Sequence, residues 1–99
     1  MIQEIATLTI KDGAARAFEG AVAEAAPLFQ QAPGALSFRL DRSIETPLEY
    51  TLTVAWATVE DHTVGFRNSE AFAKWRELVG PHFAEAPQVK HLEHVYLGF

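Results

Sequence analysis

The sequence predicts an α+β fold in which two helical segments cover one face of a four-stranded antiparallel sheet. Three observations predict it. Apolar residues switch between a two-residue and a three-to-four-residue period in the order strand, helix, strand, strand, helix pair, strand; Gly and Pro punctuate the segments; and 99 residues support one hydrophobic core, hence a single domain over 1–99.

Residues 2–10, IQEIATLTI, alternate loosely and are rich in Ile and Thr, as suits a pleated strand. Asp12 and Gly13 interrupt it. From Ala14 onward Phe18, Ala21, Val22, Ala25, Leu28 and Phe29 recur at helical spacing, so they form one stripe of a helix that Asp12 is placed to cap. Arg16, Glu19 and Glu24 fall outside that stripe and belong in water. Pro27 lacks an N–H and is expected to bend or loosen the last turn; Pro33-Gly34 ends the segment. The alanines of the stripe let the helix sit close to a sheet or leave space beside it.

Residues 35–44, ALSFRLDRSI, place Leu36, Phe38 and Leu40 on one face of a strand and Ser37, Arg39 and Asp41 on the other. After the ETPLE turn, residues 50–59 repeat the pattern, with Tyr50, Leu52, Val54 and Trp56 opposite Thr51, Thr53, Ala55 and Ala57, so a hairpin is expected. Neither face of this strand carries a charge, which fits a sheet covered on both sides. Thr58 with Asp61 resembles a capping box opening a short helix. Ser69 is placed to cap a second helix running to about Val79, with Phe72, Trp75, Leu78 and Val79 as its buried stripe and Gly80-Pro81 as its stop. Residues 88–97, QVKHLEHVYL, read as a closing strand. The order is that of a ferredoxin-like βαββαβ unit. Its uncovered face is small and apolar, and the simplest cover is the same face of a second copy, giving a homodimer with a sheet-on-sheet barrel core.

Eight Lys plus Arg against thirteen Asp plus Glu give a net charge of −5 with scattered basic residues, which excludes an electrostatic footprint for nucleic acid. No cysteines occur, so disulfides and thiolate metal sites are ruled out. The N-terminus lacks a basic region followed by an apolar stretch, and no run approaches the roughly 18 apolar residues of a membrane span. A cytoplasmic chain without a membrane partner is the expectation.

Four segments in this order, EIATLTIKDGAARAFE, YTLTVAW followed by EDH, NSEAFAKWREL followed by GPHF, and PQVKHLEHVYL, cover nearly the whole chain and resemble the antibiotic biosynthesis monooxygenase (ABM) domain family of the dimeric α+β barrel superfamily. The resemblance implies a dimer and a group that includes quinol and polyketide oxygenases, haem-degrading enzymes and members with no known reaction. Haem-degrading relatives carry an Asn on the first strand, a Trp ahead of the second helix and a His within it. The matching positions here are Ala6, Phe66 and Arg76, so haem degradation is rejected. His62 corresponds to the first helix histidine of quinol-oxygenase relatives, while a further histidine of theirs is replaced by Ala71.

Cofactor-free oxygenation needs an apolar pocket for an electron-rich aromatic, a base to form the phenolate or enolate that passes an electron to O₂, and a donor to hold the oxyanion. His62, three residues after Val59 and four before Phe66, shares the helix side that faces the sheet, where an imidazole either accepts a phenolic proton or is a buried residue satisfied by a backbone carbonyl. Arg67 and Arg76 flank the helix junction and either aim a guanidinium at an oxyanion or lie along the surface. Trp75 either stacks on a ligand or packs in the core, and Phe66 points toward the same space. Tyr50 and Trp56 share a strand face, and whether it meets the helices or a second copy is open. Arg39, on the opposite face from Phe38, is a candidate for the dimer contact. His91 and His94 lie on opposite faces of a strand and cannot share one ion, whereas His91 and Glu93 share a face and are placed to pair; no metal is expected.

The expected site is therefore His62 and Arg67 as catalytic groups, with Phe66, Trp75, Tyr50, Trp56 and Arg76 against substrate. The expected function is a dimeric, cofactor-independent monooxygenase using O₂ on a small aromatic, quinol-like or polyketide-like compound. The competing expectation is a catalytically silent binding or structural member of the same superfamily.

Overall fold

A computed structural model describes residues 1–99. Its elements are β1 (Ile2–Thr9), α1 (Ala15–Gln30), β2 (Ala35–Arg42), β3 (Glu49–Trp56), a π-helical turn (Asp61–Phe66), α2 (Glu70–Val79), a 3₁₀ turn (Gly80–His82) and β4 (Gln88–Glu93). The four strands form one antiparallel sheet in the order β2-β3-β1-β4, the ferredoxin-like arrangement the periodicities predict.

Strand alternation decides which face meets the helices. Glu4, Ala6 and Leu8 of β1 and Tyr50, Leu52, Val54 and Trp56 of β3 are buried, and the apolar members of this set form one core with Phe18, Val22, Ala25 and Phe29 of α1 and Trp75 and Val79 of α2. Phe29 is the hub. Its ring lies 4.5 Å from Phe66, 4.7 Å from Phe38 and 5.0 Å from Trp75, the last edge-on. Such pairs add about 0.5–1.5 kcal/mol each beyond the area they bury. The opposite face, with Ile5, Thr7, Thr51 and Thr53, is only half-buried in the single chain.

Local chemistry explains most boundaries. Thr58 and Asp61 make the reciprocal capping box, Asp61 N–H donating to Thr58 Oγ1 at 3.1 Å and Thr58 N–H to Asp61 Oδ2 at 3.2 Å. Ser69 caps α2 by accepting from Phe72 N–H. Gly34, at φ +85°, turns the chain into β2 directly against the Asp61 side chain, where no Cβ fits.

Three expectations need correction. Asp12 does not cap α1: Ala14 holds the N-cap position without any side-chain bond. Leu36 does not join Phe38 and Leu40, since a bulge between Ala35 and Ser37 leaves it unpaired and exposed. The last strand ends at Glu93, not near residue 97, because Glu93 pairs with Ile2 and β1 offers no further partner.

Candidate functional site

One end of the sheet carries an acid where the pattern demands a hydrophobe. Glu4 follows Ile2 and precedes Ala6, Leu8 and Ile10 on the helix-facing side of β1, and it is 5% exposed. In register it lies between Val54 of β3 and His91 of β4. Trp56, two residues beyond Val54 on the same face, is a diagonal neighbour, and its indole Nε1–H donates to Glu4 Oε1 at 3.0 Å.

The π-helical turn delivers the next group. Opened by the Thr58–Asp61 box, it places His62, 3% exposed, with its ring stacked on Trp56 at 5.4 Å and 19°. His62 Nε2 lies 3.3 Å from Glu4 Oε1, and Nδ1 lies 2.8 Å from His91 Nε2. Both ring nitrogens are engaged. Trp56, Glu4, His62 and His91 thus form one continuous polar chain drawn from three strands and the turn.

Burial shapes the protonation of this chain. Desolvation pushes the His62 pKa down to about 4, with Arg67 and then His91 adding repulsion of the imidazolium. Desolvation raises the Glu4 pKa, opposed in part by the Trp56 hydrogen bond and by the charge of Arg67. The Glu4–His62 contact has the distance of an ion pair, but the imidazole is neutral at ordinary pH, so it is a polar contact rather than a charge pair.

This chain borders a cavity of about 780 Å³ between β1, the π-helical turn and α2, lined among others by Glu4, His62, Arg67, Trp75, Arg76 and Val89. Glu4 Oε2 makes no hydrogen bond, and no buried side-chain oxygen in the chain lacks a partner, so Oε2 remains open toward this space. Exposed Arg67 and Arg76 supply cations on its wall. A smaller hollow of about 290 Å³, between the end of α1 and β2, contains no titratable group. No group of three or more His, Asp or Glu side chains is placed to hold a metal ion.

The predicted residues divide accordingly. His62, Arg67, Trp75 and Arg76 come together around the cavity. Phe66 does not, because it packs between Phe29 and Phe72 behind the turn. Tyr50 sits further along β3 against Phe18, its hydroxyl donating to Glu19, which stands at the margin of α1. Trp56 backs Glu4 and His62 without forming part of the cavity lining. Arg39 pairs with Asp41 on the open face of β2. His91 turns to His62 instead of Glu93. Glu4 escaped the sequence reading, although an acid on the apolar side of an alternating strand was the available signal.

Residues 1–78 match the family model described as antibiotic biosynthesis monooxygenase. The protein YczJ of Bacillus subtilis (strain 168), itself uncharacterised, is 37% identical over 95 residues, which span 96% of this chain and all of YczJ. A Bordetella bronchiseptica structure, provisionally named an antibiotic biosynthesis monooxygenase, superposes with a TM-score of 0.94 at 50% identity, covering 96% of this chain and 97% of its own. SnoaB of Streptomyces nogalater, a cofactor-independent oxygenase, shares the fold with a TM-score of 0.84 at 15% identity, over 98% of this chain and 95% of SnoaB.

Proposed function

Because the chain belongs to the antibiotic biosynthesis monooxygenase family, we propose that it is a cofactor-independent oxygenase acting on a small aromatic, quinol-like or polyketide-like compound held between helices and sheet. The observation that carries this reading is a buried carboxyl with one oxygen open to a cavity whose wall also holds two guanidinium groups. The Glu4–His62 pair supplies the base, and Arg67, with Arg76, holds the oxyanion that forms. Trp75 gives the aromatic ring a flat apolar wall.

The reaction needs no group the chain lacks. The base removes the proton of a phenolic hydroxyl, and the phenolate passes one electron to O₂. Radical and superoxide combine at an unsubstituted ring carbon to form a C–O bond, giving a hydroperoxide. Loss of water from it leaves a quinone carbonyl whose oxygen comes from O₂, so one phenol and one O₂ give one quinone and one water. A ligand hydroxyl beside Glu4 Oε2 would face a base made stronger than an ordinary carboxylate by the same desolvation that raises its pKa.

The half-buried face around Thr51 and Thr53 supports a two-fold homodimer closed sheet to sheet. Val95, Tyr96, Leu97 and Phe99, beyond β4, are 74–113% exposed and give the second copy further apolar surface. No helix is long and apolar enough to cross a membrane. The competing reading, a silent binder of a small metabolite in the same cavity, draws on His62 having both nitrogens engaged. O₂ uptake over a panel of benzo- and naphthoquinols and naphthols separates the two. Uptake that falls roughly 100-fold or more in Glu4→Gln supports the oxygenase. No uptake by the wild-type protein, or full rates in both Glu4→Gln and His62→Ala, overturns it.

A further inference from the structure

We propose that the compound held in the cavity carries a carboxylate besides its reacting hydroxyl, and that Arg76 binds this carboxylate. The proposal rests on the oxygenase reading for the chemistry at the hydroxyl, and it narrows the ligand to a hydroxylated aromatic acid.

The arginines divide by what they touch. Arg39 pairs with Asp41 at 2.9 Å, and Arg42 stands 3.8 Å from Glu19. Arg67 and Arg76, the two arginines that border the large cavity, make no ion pair and no side-chain hydrogen bond. Glu77 and Glu85 border the same cavity, yet neither closes on a guanidinium. A free fork of N–H donors on a cavity wall matches a ligand carboxylate, which it can hold through two parallel hydrogen bonds.

The two free guanidinium groups differ in place. The charge of Arg67 is felt at both Glu4 and His62, whereas that of Arg76 is felt at neither. Arg67 therefore stands at the acid end of the cavity and Arg76 away from it. Arg76 is also held in position: its guanidinium carbon lies 5.8 Å from the centroid of the Phe72 ring, one helical turn back on α2. Phe72 in turn meets Phe66 edge-on at 5.8 Å, and Phe66 packs on Phe29 at 4.5 Å. This platform keeps the cation on the cavity wall without using its N–H donors.

Charge balance separates what the two arginines do. With Glu4 ionised, Arg67 offsets it, and the His62 imidazole, neutral above about pH 4, adds no charge. Arg76 is left to offset one negative charge brought by the ligand. When the ligand hydroxyl gives its proton to Glu4, the negative charge moves from the carboxyl to the phenolate beside the same Arg67, and the total stays constant. The carboxylate remains on Arg76 throughout, so it also orients the ring with its hydroxyl inward and its acid outward. Glu77 and Glu85 are exposed, and salt and water screen their repulsion of an entering anion. Arg76 is exposed as well, which limits its contribution to about fivefold in affinity.

Calorimetric titration with 6-hydroxy-2-naphthoic and 5-hydroxy-1-naphthoic acids, each against its own uncharged carboxamide, tests this without turnover. The two acids space hydroxyl and carboxylate differently. At low ionic strength at least one should bind about fivefold more tightly than its amide, and that advantage should shrink as salt rises. It should vanish in Arg76→Gln and be only partly kept in Arg76→Lys, which retains the charge without the fork. It should persist in Arg16→Gln, which removes an equal charge from an exposed position of α1 outside the cavity. Acids that bind no more tightly than their amides, or not at all, overturn the proposal. So does an advantage that survives Arg76→Gln, or one lost equally in Arg16→Gln. Quinols oxidised by a protein with no such preference leave the oxygenase reading standing without the carboxylate. The preference without any O₂ uptake leaves the Arg76 contact standing and overturns the oxygenase reading.

Discussion

Replacing His62 by Gln should change how stability depends on pH, by an amount the site geometry sets. The native imidazole titrates near about 4 instead of its ordinary 6.5, because burial first, then Arg67 and His91, disfavour the charged ring. Between those values the unfolded chain binds a proton that the native chain does not, so the contribution of His62 is complete above 6.5 and is lost as the pH falls through 4. At 1.36 kcal/mol per pH unit, lowering the pH from about 7.5 to about 5 removes about 2 kcal/mol. The side chain is only 4% exposed, so salt screens little of this. Glu4 acts oppositely: its raised pKa gives a contribution present below 4.5 and lost as the pH rises through the native value. Urea unfolding followed by Trp fluorescence at several pH values isolates the His62 share as the difference between wild type and His62→Gln. That difference should shrink by about 2 kcal/mol from pH 7.5 to 5. A difference that is constant with pH, or that grows on acidification, refutes the buried neutral imidazole.

Gly34→Ala should lower stability by about 2 kcal/mol or more, because φ +85° strains any L residue and the new methyl meets the Asp61 side chain. Gly13→Ala, at φ +79° but with open space around it, should cost only about 1 kcal/mol, and equal urea midpoints for the two would show that the Asp61 contact contributes nothing. Thr53→Lys places a charge mid-sheet on the open face, between Ile5 and Arg39, and should halve the mass found by sedimentation equilibrium. A wild-type protein that sediments as a monomer contradicts the sheet-to-sheet dimer.

Much of this molecule is legible in its residues because local rules act there unopposed. The Thr58–Asp61 box, the Ser69 cap and the α2 stripe are short-range features, and they stand as the spacing predicts. Strand ends are less legible, since β4 stops where β1 runs out of partners, a fact of pairing rather than composition. The Leu36 bulge is hidden for the same reason. In the site, His62 and Trp75 follow from helical faces and Arg67 and Arg76 from the helix junction, yet the residues that His62 touches are 29 and 58 positions away, as its numbering against His91 and Glu4 shows. Only the antiparallel register of β1 with β4 brings Glu4 and His91 side by side. Phe66 misled because a helical face identifies what is inward and not which hollow it borders: it lines a smaller one of about 260 Å³ beside the end of α1.

A crystal structure with 1-naphthol bound would show whether a ligand hydroxyl meets Glu4 at the floor of the cavity. The naphthol ring should lie against Trp75, with its oxygen about 2.5–3.0 Å from Glu4 Oε2 and Arg67 or Arg76 on the same side. Naphthol bound elsewhere while this cavity stays free of it, or a Glu4 carboxyl with both oxygens closed off by protein, would contradict it.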